Sequence, residues 1–404
     1  MRLRLVEVLG REENARACVA QRRGGLPEPP PLAGVERRSR LVEQERVGAP
    51  EQRDRHVEPL PVPDGETAAD DVVAGQLETV ELLARGRGHD LLRLSLFEGA
   101  AMGANMTLPY GSWMGSRIED AFYAPHELAK DIQGFLADSD ELFSRRTYNE
   151  VAVVYSIESN RGLVARADAA DNISNARDES VEVPYRVATA AFAQAAVPFD
   201  VVLFPDGITA DDRVTTATLQ GYGSVVLPSC TFLTSGQASA LLDYLDGGGR
   251  VVVTGDLGTN LPDDVRGKLL SHERLTTGHH ADVDSLLPLG RQVQAEGLDG
   301  VAVNVHRLAD GAAAVHLINY DYDAFADRVV PRTGVRLGVT LPGDHAHATL
   351  LTADGTATDL TMTSYEGRCS VDLAELPLYG IVLFHDGARS AARLRCDRQG
   401  DRSA

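Results

Sequence analysis

Between residues 150 and 298, apolar runs alternate with helical spans. Val151-Ala152-Val153-Val154-Tyr155 has no polar interruption, as expected of a strand covered on both faces. Phe199–Phe204, Gly223–Pro228 and Arg250–Gly255 follow in similar form, and helices are predicted over Val183–Ala196 and Ser235–Asp246. Gly247-Gly248-Gly249 stops the second helix. Strands separated by helices imply right-handed crossovers and a flavodoxin-like, doubly wound parallel sheet. After residue 299 the period drops to two. Val301, Val303 and Val305 alternate with polar neighbours, and Ala309-Asp310-Gly311 and Ala353-Asp354-Gly355 read as turns. Ala314–Tyr320, Ala348–Leu351 and Tyr379–Phe384 read as strands. This pattern predicts a small antiparallel β-sandwich.

Residues 90–145 read helix–strand–loop–helix. Asp90 is placed to cap a helix carrying Leu91, Leu94, Phe97 and Ala101, with Gly103 as its stop. An extended run, Asn105–Pro109, leads into the turn Tyr110–Gly115, and a second helix spans His126–Phe143. A lone strand between two helices cannot bury both of its sides.

Composition divides the chain further. The first 96 residues hold no aromatic residue, no Ile and no Lys. A segment without such side chains cannot offset about 1–2 kcal/mol per residue of backbone ordering. Residues 1–87 are therefore expected to be of low order, with at most a short helix at Val72–Leu83, and residues 388–404 to form a disordered tail. The resulting division is 1–87, 88–148, 149–298, 299–387 and 388–404. The net charge of −20 argues against nucleic acid as a partner. No apolar run is long enough to span a membrane. The cysteines, Cys18, Cys230, Cys369 and Cys396, show no CxxC spacing, which excludes a zinc ribbon or disulfide scaffold. The N-terminus lacks the apolar region of a secretory signal, so a cytoplasmic location is expected.

The order of parts is similar to the C-terminal half of glycoside hydrolases related to the family 42 β-galactosidases. Leu94–Met106 and Leu108–Gly115 resemble the last helix–strand step of a (β/α)₈ barrel. Leu227-Pro228-Ser229 with Tyr244–Val251 resembles the family's trimerisation domain, which has a glutamine-amidotransferase-like fold. Val315–Tyr320 resembles the closing β domain. The resemblance implies a carbohydrate substrate in the complete enzyme and a homo-oligomer. A full barrel needs about 250 residues, far more than precede residue 105. The chain is therefore expected to be a truncated or mis-started reading of a longer enzyme, lacking the paired catalytic carboxylates that glycoside hydrolysis uses. The alternative is a non-catalytic oligomerisation or interaction module.

Asn105, Tyr110 and Trp113 are the candidate sugar-binding residues: an amide and two aromatic faces after the final strand. No catalytic residue, metal ligand or cofactor is expected. Glu98 falls inside a helix and reads as structural. Glu119 and Asp120 are adjacent and diverge on a helix. Cys230 lacks the flanking glycines of an amidotransferase nucleophile and reads as a buried small hydrophobe. Ser156–Gly162 lacks a phosphate cradle. His279 and His280 are expected to point apart, which disfavours a metal. Asn319, Asp321 and Asp323 read as a solvated turn, and His306 with His316 as a structural cross-strand pair.

Overall fold

The computed structural model describes residues 88–104, 126–159, 179–208, 210–365 and 367–387. The candidate sugar-binding residues Asn105, Tyr110 and Trp113 lie outside the described residues, as do Glu119, Asp120, the Val72–Leu83 helix and both terminal segments.

The parallel sheet is built from β1 (Val151–Ser156), β2 (Asp200–Phe204), β3 (Ser224–Pro228), β4 (Arg250–Thr254) and β5 (Leu275–Thr277), in the order β2-β1-β3-β4-β5. That is the flavodoxin-like order expected from the alternating pattern. Strand β5 is an addition to the sequence reading. Only Leu275 of its residues is apolar, so it carries no hydrophobic run to announce it. Helix α3 (Glu179–Gln194) packs on β1 and β3, with Phe192 fully buried among Val151, Val153, Val226 and Val252. Two short helices, α4 (Thr216–Leu219) and α6 (Asp263–Leu270), join α5 (Ser235–Asp246), which covers the other face. Thr234 caps α5 by accepting from Gln237 N at 3.0 Å. The Gly247–Gly249 stop is also a packing requirement: a Cβ on Gly249 would sit 2.2 Å from the Tyr244 ring.

Two antiparallel sheets follow. One contains β7 (Val301–Arg307), β8 (Ala313–Asn319), β12 (His347–Thr352), β13 (Ala357–Leu360) and β16 (Tyr379–His385), in the order β13-β12-β16-β8-β7. The other contains β6 (Val293–Glu296), β11 (Arg332–Thr340), β14 (Met362–Tyr365) and β15 (Arg368–Leu376), in the order β14-β15-β11-β6. Val301, Val303 and Val305 face the second sheet, where they pack with Val335, Leu337, Val371 and Leu373. A two-stranded ribbon, β9 (Tyr322–Asp323) and β10 (Arg328–Val329), stands beside them.

The polar side of β7 does not face solvent: Ala302, Asn304 and His306 are buried. Helices α1 (His89–Ala101) and α2 (His126–Asp138) cover that face, and every residue of β8 and β16 is buried. The arrangement is therefore three layers: helices, sheet and sheet. Phe97 of α1 stacks on Tyr379 of β16, with ring centroids 4.7 Å apart and planes 4° from parallel. Phe135 of α2 meets both rings edge-on.

Helix α2 stops at Asp138, short of the expected Phe143, and a 3-10 turn at Asp140–Leu142 follows. Asp90 does not cap α1. It lies in the first turn and accepts from Val329 N at 2.9 Å, tying the helix to β10. Gly88 N donates instead to Asp327 Oδ1 at 3.0 Å.

Candidate functional site

The residues around the C-terminal end of α1 form a buried polar seam against β7, β8 and β16. Gly103 takes a left-handed conformation with φ 76°. Its N–H reaches Ala100 O at 3.0 Å, and Ala104 N reaches Gly99 O at 2.7 Å, the pairing of a Schellman stop. This fixes the end of α1.

Two side chains of β7 hold the end of α1. Asn304 Nδ2 donates to Ala101 O at 2.7 Å, and His306 Nε2 donates to the same oxygen at 2.7 Å. His316 of β8 lies beside His306, with ring centroids 4.1 Å apart. Its Nε2 donates to Leu142 O at 3.0 Å, and its Nδ1 accepts from the Tyr379 hydroxyl at 2.5 Å. The cross-strand pair is thus a clamp on the ends of α1 and the α2 turn. Burial lowers the pKa of both imidazoles. For His316 the neighbouring His306 adds to the effect, while bonds to backbone carbonyls partly offset it.

Glu98 is buried, as a structural residue would be, yet it is strongly perturbed. Burial pushes its carboxyl up to about 8, and the Tyr320 hydroxyl, donating at 2.7 Å, opposes that only in part. Its Oε2 has no partner among the described residues. A carboxyl in this state is mostly protonated at neutral pH. Sequence reasoning missed Tyr320, Tyr379 and Asn304 as members of the seam. Asn304 and His306 gave the one available signal: polar residues at alternate positions of a strand whose other residues before Arg307 are Val and Ala.

The linker into the parallel sheet is fixed by a second polar chain. Tyr148 N donates to Val305 O at 2.8 Å, so residues 146–149 run along the edge of β7. Asn149 Nδ2 donates to Asn304 Oδ1 and Asp200 Oδ1, each at 2.7 Å. The carboxylate of Asp200 also accepts from the Tyr222 hydroxyl at 3.0 Å.

The C-terminal ends of β1, β3 and β4 form the mouth where doubly wound sheets take ligands. Cys230 is fully buried there, and burial alone raises its thiol pKa, so it is not an activated nucleophile. The tight turn after β3 falls on Ser229, at φ 45°. Ser229 Oγ faces Thr254 O at 3.4 Å. The turn is closed by Gly255, where a Cβ would lie 2.4 Å from that hydroxyl. Ser156 and Ser159 share a hydrogen bond at 2.7 Å.

His279 and His280 do not point apart. Their rings stack at 4.5 Å in an irregular loop, where strand or helix geometry does not separate neighbours. No group of three or more His, Cys, Asp or Glu residues placed to hold a metal occurs among the described residues. Asn319, Asp321 and Asp323 act within a turn. Asn319 Oδ1 accepts from Asp321 N, Asp323 Oδ1 accepts from Phe325 N and Ala326 N, and Asp321 pairs with Arg332 at 3.3 Å. No helix among the described residues is long and apolar enough to cross a membrane.

The described residues thus define an α/β domain with a parallel sheet, joined to antiparallel β sheets. No protein-family model and no curated protein matches the chain. Among solved structures, it is similar to α-L-fucosidase isoenzyme 2 from Paenibacillus thiaminolyticus: TM-score 0.48, 11% identity, covering 74% of this chain and 57% of that one. It is similar to a GH42 β-galactosidase, Gan42B from G. stearothermophilus: TM-score 0.43, 12% identity, covering 72% and 50%. It is also similar to β-galactosidase from Bacillus circulans sp. alkalophilus: TM-score 0.39, 13% identity, covering 64% and 44%. The chain spans about half the length of these structures.

Proposed function

We propose that this chain is the C-terminal portion of a carbohydrate-active glycoside hydrolase of β-galactosidase type. In this reading residues 88–148 carry the last helix–strand step of a barrel, 149–298 an assembly domain whose last strand, β6, joins the sandwich, and 299–387 the rest of the closing β-sandwich. The catalytic carboxylate pair is not on this chain. Asn105, Tyr110 and Trp113 frame the sugar from the barrel's mouth, and the protein works in the cytoplasm.

The observation that carries the reading is the order of parts. Two helices, a sheet ordered β2-β1-β3-β4-β5 and an antiparallel sandwich follow one another along the chain. That is the order implied by the sequence motifs. The clamp on Ala101 supports it further, since it holds the C-terminal end of α1 against β7.

Trp113 is the only tryptophan, so its emission reports on its surroundings alone. Titration with galactose or lactose is expected to shift that emission, and an unchanged spectrum at saturating sugar would sink the assignment of Trp113. Nitrophenyl glycosides are expected to turn over no faster than background. Robust hydrolysis would place the carboxylates on this chain after all.

The assembly role rests on a separate feature. Strand β2 is an edge of the parallel sheet, and Val201 and Leu203 on it are each 43% exposed. Sedimentation is expected to give a homo-oligomer at tens of micromolar, and Leu203→Lys is expected to dissociate it.

A further inference from the structure

A cleft of about 710 Å³ opens between helix α3, the loop before β6 and the outer face of the β14-β15-β11-β6 sheet. Its volume is within the range of about 300–1,000 Å³ typical of small-molecule sites. It is separate from the seam at α1 and from the mouth of the parallel sheet.

The register of the sheet arranges its polar floor. Gly338 pairs with Gln294 on one side and Ser370 on the other, and Arg336 pairs with Glu296 and Asp372. The Gln294 amide and the Ser370 hydroxyl line the cleft and have no protein partner among the described residues. Gly338 keeps the floor between them bare: a Cβ there would already lie 3.3 Å from Ser370 Oγ and 3.4 Å from Gln294 O. Ala191 of α3 and Ala195 just past its end, with Val283, supply a small apolar wall opposite.

The charges of the cleft cancel locally. Arg336 Nε bonds Asp372 Oδ1 at 2.9 Å, with Glu296 also near. Arg291 Nη2 bonds Asp284 Oδ1 at 3.0 Å, and its Nη1 reaches Ala195 O at 3.1 Å. Arg368 Nη2 bonds Thr340 Oγ1 at 3.2 Å and feels the charge of Glu150. An anion entering this acidic protein therefore meets no surplus of positive charge. What the cleft offers is an array of guanidinium and carboxylate groups held in place by their own partners, with an amide and a hydroxyl between them that are open to a ligand. An uncharged ligand with many hydroxyls matches that array, and its C–H face matches the alanine wall.

We propose that this cleft is an accessory binding site for the uncharged end of an oligosaccharide. The proposal rests on the carbohydrate reading above and adds to it a second, non-catalytic sugar site. Calorimetric titration of the full chain with lactose, and with galacturonate as the charged control, tests it. Ala191→Trp, which fills the cleft from its helix wall, is expected to weaken lactose binding at least tenfold. Ser370→Ala and Gln294→Ala, which remove one polar group each, should weaken it several-fold without moving the unfolding midpoint. Asp211→Asn, which does not line the cleft, should leave this binding within twofold, and galacturonate should bind more weakly than lactose. Lactose binding unchanged by all three cleft variants, or tighter binding of galacturonate, would overturn the accessory site. If binding then proved sensitive to Trp113→Ala, the proposed function would stand without this cleft. Absence of any saccharide binding would remove both.

Discussion

The parallel sheet and the seam beneath α1 are both buried, but they place their polar groups differently. In the sheet, Val151–Val154, Val225–Leu227 and Val251–Val253 are apolar throughout, and polar side chains occur at strand ends, as at Ser156, Ser224 and Thr254. In the seam, Glu98, Asn304 and His316 sit inside their elements, His306 lies one residue from the end of β7, and Tyr320 and Tyr379 flank strand ends, all near Phe97, Phe135 and Leu94. The sheet is held by burial, at roughly 25 cal/mol per Å² of apolar surface, a contribution that does not titrate. The seam is also held by hydrogen bonds whose donors and acceptors change with pH. One molecule thus contains a region indifferent to protons and a region governed by them.

The largest effect should come from Glu98. Its folded pKa, about 8, lies above the ordinary 4.5, so the unfolded chain loses the proton first. Its contribution is complete below pH 4.5 and is lost as pH rises towards 8. Linkage puts the total at up to about 5 kcal/mol, with relaxation around the site reducing it. Chemical denaturation across this range should show the loss, and Glu98→Gln should flatten it. An unchanged slope in Glu98→Gln would show that the seam's carboxyl is not the group responsible.

Phe97→Ala comes next, at about 3–5 kcal/mol, because it empties a buried ring site stacked on Tyr379. Hydrogen exchange should report lost protection in α1 and β16 while Val251–Val253 stay protected. Equal loss in both regions would erase the distinction between them.

The histidine pair gives the opposite sign of pH dependence. Both folded pKa values are lowered, so stability is lost as pH falls below about 6.5 and the unfolded chain takes up protons. Replacing His306 and His316 together by Gln should weaken the acid-side decline at the cost of some stability at neutral pH. Acid unfolding followed with the double variant checks this. The smallest effect is expected at Arg213 and Asp211, an ion pair whose side chains are 83% and 77% exposed. Asp211→Asn should leave the melting midpoint unchanged.

The parallel strands β1, β3 and β4 were legible because a buried strand must be apolar at every position, whatever lies above it. Gly103 and the Gly247–Gly249 stop were legible for a similar reason, since a helix needs a left-handed or bare position to end. Strand β5 was not, because an edge strand of three residues needs no apolar run. Strand β6, before residue 299, joins the sandwich through pairing with β11, which its exposed Gln294, Ala295 and Glu296 do not foretell. Cys230 read correctly as a buried residue from its missing glycines. The stacking of His279 on His280 was invisible, since regular geometry does not govern a loop.

Local chemistry written in the chain determined where strands and helices form, because backbone sterics and apolar period act over a few residues. The tertiary structure alone decided that the polar side of β7 faces helices rather than water. That choice depends on Phe97 finding Tyr379, from the far end of the described chain. It also turned Glu98 from an ordinary carboxyl into one with a pKa near 8, because desolvation is a property of surroundings that no single stretch of sequence contains.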